Sequence, residues 1–155
     1  MLDYSFQKKY FRFLYVGLLG KFATSLWFIP SAANFLHKIR GVKIKRPFSI
    51  YFASNVIIDN RYPEKVCILP DCVFAPFSVV LSHSFIPKGN TVVGDKEIVR
   101  ETYIGRGVFI GAHVVILPGT SLGDYCYVAA GSVVSGKFTS NTLIAGNPAI
   151  AKRVI

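Results

Sequence analysis

Acidic residues are scarce in this sequence: eight Asp and Glu stand against eighteen Lys and Arg over 155 residues, a net charge of +10. Such an excess suits an anionic partner, which can be nucleic acid, a membrane surface or a phosphate-rich co-substrate. The aromatic-basic signature of a nucleic-acid module is missing, so no nucleic-acid partner is expected. Cysteine is also scarce. Cys67, Cys72 and Cys126 form no CxxC pair and no framework spacing. They read as small core residues in a reducing, cytoplasmic compartment, with neither a disulfide scaffold nor a metal site expected. Charged residues make up only 17% and apolar residues 52%, which excludes a disordered chain. Neither a Gly-X-Y period nor a heptad occurs, which excludes collagen and coiled coil. The length predicts one domain, with no room for a nucleotide-binding domain ahead of it and with any second wall of a site supplied by another copy.

Long apolar runs are lacking too. Residues 13–20 stop at Lys21, and residues 22–36 are broken by Pro30. Neither reaches the roughly 18 apolar residues of a membrane span. Nine of the eighteen basic residues nevertheless fall within the first 46 positions, where Phe11, Leu14, Leu18 and Phe22 share one helical face. Residues 1–40 therefore read as a basic, aromatic helical segment. It can be a signal peptide, a helix lying at a membrane interface, or a helix packed on the body of its own oligomer.

What is present is a period of six. Ile44, Ile50, Val56, Tyr62, Ile68, Phe74, Val80, Ile86, Val92, Ile98, Ile104, Ile110, Ile116, Leu122, Val128 and Val134 are all apolar. Six is not a helical period. Each unit is predicted to be a short strand and a corner, with its large anchor inward. Gly105, Gly111 and Gly123, and Ala75 and Ala129, follow anchors, where a larger side chain would crowd the corner. The inward position four after the anchor holds Ser54, Cys72, Ser78, Thr102, Val108, Val114, Thr120, Cys126 or Ser132. Between 84 and 101 the anchors persist, but Asn90 and Lys96 fall at the small inward position among turn-forming residues. That stretch is read as a loop thrown out from the coil. The expected organisation is a helical segment at 1–40, a repeat body at 41–138 and a tail at 139–155.

The segment from Tyr103 to Val134, with AGNPA at 145–149, resembles the hexapeptide-repeat acyltransferases, in particular the branch that O-acetylates sugars and polysaccharides. The resemblance covers about residues 41–155. It implies a mainly β fold, a left-handed parallel β-helix with three hexapeptides per coil. It also implies a homotrimer with sites between subunits and acetyl-CoA as co-substrate. Serine acetyltransferases share much of the pattern. O-acetyl transfer needs a base for the acceptor hydroxyl, donors for the oxyanion and a path out for the thiolate.

His83, in VVLSHSF where the coil gives way to the loop, matches the family's catalytic histidine. His113 lies mid-coil facing outward and His37 in the helical segment, and neither is given a role. The carboxylate that orients His83 is open among Asp59, Glu64, Asp71, Asp95, Glu97 and Glu101, and a backbone carbonyl could serve instead. The resemblance places Asn55 on the acceptor side, beside the alternative of a plain corner residue. It places Ala112 and Ala130, one full coil apart, along the pantetheine arm. Ser135, Gly136 and Lys137 stand where relatives carry a Thr-Lys-like pair, and Lys152 and Arg153 stand where basic tail residues meet the nucleotide phosphates. Phe109 replaces the tryptophan of many relatives. The acceptor is expected to be a sugar or glycan hydroxyl. Two other readings of the coil are a metal hydratase and a non-catalytic scaffold. For the hydratase the coil histidines are too few, and His83 and His113 are not a whole number of coils apart.

Overall fold

The computed structural model of the chain describes residues 4–26, 28–86 and 96–155. Two helices lead, α1 (Tyr4–Ser25) and α2 (Pro30–Ile39). Proline opens α2, where its missing N–H would have had no partner anyway. From Lys43 the chain winds into a left-handed parallel β-helix with three sheets. The first sheet holds Lys43–Ile44, Val66–Ile68, Thr102–Ile104, Ser121–Leu122 and Lys137–Phe138. The second holds Tyr51–Phe52, Val73–Phe74, Phe109–Ile110, Tyr127–Val128 and Thr142–Gly146, and the last strand, Ala149–Val154, folds back antiparallel on its edge. The third holds Ile57–Ile58, Val79–Val80, Val115–Ile116 and Val133–Val134.

In the later coils register partners stand three hexapeptides apart, as Phe109 with Tyr127 and Val115 with Val133. Three hexapeptides thus close one turn. The anchors Ile68, Phe74, Val80, Ile104, Ile110, Ile116, Leu122, Val128 and Val134 are all fully buried. Cys72, Ser78, Thr102, Val108, Val114, Thr120, Cys126 and Ser132 lie buried between them. Two of the small polar ones bond locally: Thr120 Oγ1 donates to Leu117 O at 2.7 Å and Ser132 Oγ to Ala129 O at 2.7 Å. Close stacking explains the corner glycines: a Cβ on Gly111 would sit 2.6 Å from Ala130 N in the next coil.

The first coil departs from the expected phase. Ile50 and Val56 are buried, but in the small inward position, and the strand anchors are Phe52 and Ile58. Tyr62 is not an anchor at all. Its hydroxyl donates to Glu97 Oε2 at 2.8 Å. Single-turn helices at Pro47–Ser49 and Pro63–Lys65 each lengthen a corner. Together the extra residues make up one hexapeptide, so Ile44 pairs with Ile68, four hexapeptides on instead of three. The period therefore looks unbroken along the sequence although the middle of the coil has slipped by two.

The insertion has the same property. Ile68 pairs with Ile104, so the excursion between them adds one full coil's worth of residues and the pattern resumes in phase. Its base is an antiparallel hairpin of His83–Ile86 with Lys96–Val99. Ile86 is exposed there and Ile98 half-buried, so neither is a coil anchor. Asn90, Val92 and Asp95 lie outside the described residues. At the far end Val128 pairs with Ile144, which carries the helix past residue 138 into the expected tail.

Candidate active site

Asp59 and His83 leave the third sheet at the same corner, because Ile58 and Val80 are register partners in neighbouring coils. Asp59 N–H donates to Val80 O at 2.8 Å, and its side chain is wholly buried. One carboxylate oxygen accepts from the N–H groups of Arg61 at 2.8 Å and Tyr62 at 2.9 Å. The other accepts from those of Ser82 at 2.8 Å and His83 at 3.1 Å. That second oxygen also lies 2.6 Å from His83 Nδ1. Burial alone would raise the Asp59 pKa, but these N–H groups and the His83 contact outweigh it and hold the carboxyl below its ordinary value. An ionised carboxylate accepts, so Nδ1 carries a proton, and in the neutral ring Nε2 is then the accepting nitrogen. The His83 side chain is 20% exposed, enough to be reached from outside.

The walls around the ring come from both sides of the insertion. Tyr62 and Phe85 each meet the imidazole edge-on, with centroids 5.7 Å away. Ser82 Oγ donates to Tyr62 O at 2.9 Å, and Arg61 Nε pairs with Glu97 Oε1 at 2.6 Å. Glu97 thus ties the returning strand of the hairpin to the corner that carries Tyr62.

Behind the pair stands a buried cation. Arg40, at the end of α2, is 3% exposed. Its Nη2 donates to Ile58 O at 2.8 Å, its Nη1 to Asp59 O at 2.8 Å and to Asn60 Oδ1 at 3.1 Å, and its Nε to His37 Nδ1 at 2.9 Å. Burial lowers the guanidinium to about 10, against the opposing pull of Asp59. His37 lies well below the ordinary histidine value, through burial first and the Arg40 charge second, and accepts as a neutral ring. The helical segment is therefore bolted to the backbone of the residue that orients His83. Nothing in the sequence pattern singles out Arg40 among nine early cations. Asp59 was one of six open carboxylates, and only the coil register selects it.

The remaining sequence-predicted residues are dispersed over the coil. Ser135 and Gly136 lie at the corner that also carries His83, two coils on. Asn55, Ala112 and Ala130 lie at the opposite edge of the third sheet. There Asn55 (φ 58°), Phe77 (φ 61°), His113 (φ 56°) and Gly131 (φ 71°) form a column of left-handed corners, linked by Phe77 N–H to Ser54 O, His113 N–H to Pro76 O and Gly131 N–H to Ala112 O. Asn tolerates that conformation better than most residues, which is a local reason for Asn55. His113 is stacked on Phe77 at 5.1 Å. The two edges are separated by about five residues of strand, about 16 Å, so one chain does not bring Asn55, Ala112 or Ala130 to His83. The N–H groups of Ala112 and Ala130 make no hydrogen bond among the described residues. Apart from chain neighbours, no described residue lies within 4 Å of where a Cβ would stand on Gly131 or Gly136. Lys137 is exposed on the first sheet, and Lys152 and Arg153 are exposed on the last strand. Phe109 stacks on Tyr127 at 4.8 Å, part of the second sheet's outer surface.

Residues 101–136 match the family model "Bacterial transferase hexapeptide (six repeats)". YvoF of Bacillus subtilis (strain 168), a protein named as an acetyltransferase, is 29% identical over 101 residues, 63% of this chain and 52% of its own. Galactoside O-acetyltransferase of Escherichia coli (strain K12) is 47% identical over 45 residues, 29% of this chain and 22% of its own. The match thus spans about half the length of the first relative and less of the second. Among solved structures, the hexapeptide-repeat acetyltransferase VCA0836 of Vibrio cholerae O1 biovar eltor, complexed with acetyl coenzyme A, aligns with TM-score 0.65 and 25% identity over 74% of this chain and 61% of its own. A galactoside acetyltransferase in complex with coenzyme A aligns with TM-score 0.69 over 99% of this chain and 84% of its own, at 21% identity, a likeness of fold alone.

Proposed function

Since the chain belongs to the hexapeptide-repeat transferase family, we propose that it is an acyl-CoA-dependent O-acetyltransferase, with His83 as general base and a sugar or glycan hydroxyl as acceptor. The observation that carries this reading is the 2.6 Å contact between His83 Nδ1 and a buried, four-fold hydrogen-bonded Asp59. A surface histidine has no need of such a partner. A base that must accept a proton on Nε2 does, because the carboxylate fixes the tautomer and stabilises the imidazolium that forms.

His83 Nε2 takes the hydroxyl proton as the acceptor oxygen bonds to the thioester carbonyl carbon. The C–S bond then breaks, and His83 returns the proton to the departing thiolate, so that charge and protons balance. The thioester supplies the acyl group, and acetyl is the acyl group expected. Asp59 stays ionised throughout. The residues present suit the co-substrate. Ala112 and Ala130 offer free amides on a bare backbone edge to an amide-rich arm. Ser135 and Gly136 extend such an edge at the other corner, and Lys137, Lys152 and Arg153 supply positive charge for phosphates. Because the two edges lie a sheet-width apart, the complete site is proposed to form between copies, in a homotrimer. Asn55 of one copy would then face His83 of another across the groove, on the acceptor side. The galactoside O-acetyltransferase matches support a sugar acceptor.

Calorimetric titration with acetyl-CoA tests the donor half without knowledge of the acceptor. Saturable binding near one site per chain, weakened when Lys152 and Arg153 are changed to Ala, is expected. His83→Ala is expected to keep that binding and to lose thiol release in a screen of sugar acceptors. Absence of binding at millimolar acetyl-CoA would refute the transferase reading and favour the scaffold.

A further inference from the structure

α1 is inside out. From Phe11 onward the residues it buries against the body are small: Val16, Gly20 and Ala23. At 100° per residue the opposite side carries Phe11, Leu14, Tyr15, Leu18 and Phe22. These are 69%, 41%, 55%, 54% and 57% exposed. A helix whose only task was to pack on the body would show the reverse. From Phe11 to Phe22 the apolar stripe runs about 16 Å. No helix among the described residues is long and apolar enough to cross a membrane.

The charge around the stripe says what covers it. Residues 1–46 hold nine Lys and Arg and one acid, Asp3. Arg40 is buried, Arg12 is paired with Glu64 and Lys43 with Glu101, whereas Lys21 and Lys38 are exposed and form no ion pair among the described residues. Lys21 borders the stripe, one position before Phe22. A second copy brought to this face would set cations against cations. A surface of anionic headgroups over acyl chains complements both parts.

We propose that the outer face of α1 seats the protein on an anionic phospholipid surface, lying in the interface with Phe11, Leu14, Leu18 and Phe22 below the headgroups and Lys21 among them. This stands on the N-terminal helix alone and does not depend on the transferase reading. If both hold, the site works beside a membrane, where a lipid-linked glycan would be within reach.

The test is flotation of the full chain with phosphatidylcholine vesicles with and without phosphatidylglycerol, at low and high salt, with molar mass measured by light scattering in parallel. Co-flotation with the anionic vesicles, reduced by salt, is expected. Paired Leu18→Ser and Phe22→Ser changes, which touch only exposed positions, are expected to weaken it by about tenfold or more at unchanged mass. Lys21→Glu is expected to weaken it on anionic vesicles only. A wild-type chain that stays in solution with both vesicle types, or floats equally with both, would overturn the proposal. So would a fall in mass in the paired variant, which would assign the stripe to a second copy.

Discussion

Replacing Asp59 by Asn keeps the shape of the side chain and removes its charge. The carboxylate meets five donors: four backbone N–H groups and His83 Nδ1–H. An amide has one acceptor oxygen, so whichever way it turns, its NH₂ faces two backbone N–H groups in a wholly buried position. Two hydrogen bonds to a charged acceptor, at about 1.5–3 kcal/mol each, give a loss of about 3–6 kcal/mol. That is a large part of the roughly 5–15 kcal/mol of a typical domain. Urea denaturation at fixed protein concentration and neutral pH measures it. Acid should close the gap. Since the folded Asp59 pKa is held down, its stabilisation is complete above the ordinary carboxyl value near 4 and disappears as pH falls through the lower folded value. Turnover should fall by about a hundred- to ten-thousand-fold, because the amide no longer fixes the tautomer or stabilises the imidazolium. An Asp59→Asn protein within about 0.5 kcal/mol of wild type, or one with unchanged turnover, would show that the pair lacks the structural or the catalytic role assigned to it.

Arg40→Met should destabilise by about 3–5 kcal/mol on urea denaturation, since it leaves Ile58 O, Asp59 O and His37 Nδ1 without their buried donor. Gly111→Ala should cost about 1–3 kcal/mol or prevent folding, because its Cβ meets the backbone of Ala130 at 2.6 Å; wild-type melting behaviour would contradict the close stacking. His37 is neutral when folded and must take up a proton on unfolding in acid. Stability should therefore fall as pH drops below about 6.5, and His37→Gln should flatten that slope in urea titrations.

The six-residue ladder, the small inward positions and the corner glycines are properties of single positions, and the sequence alone carried them to a β-helix with no tertiary information. Chain phase is different. Ile50, Val56 and Tyr62 satisfy the period, yet Phe52 and Ile58 are the anchors, because the two lengthened corners add up to one whole unit and erase their own trace. Composition along a line cannot reveal two slips that cancel.

The site depends on that hidden slip. In an unbroken coil the residue aligned with Leu81, three hexapeptides back, would be Pro63. The longer register that pairs Ile58 with Val80 brings in Asp59 instead. His83 and the early run of cations and aromatics were determined by the sequence. Which carboxylate serves His83, which arginine anchors α2 and which face of α1 looks outward were decided only by the packing of one coil on the next, since each is a contact between residues whose separation the insertions reset.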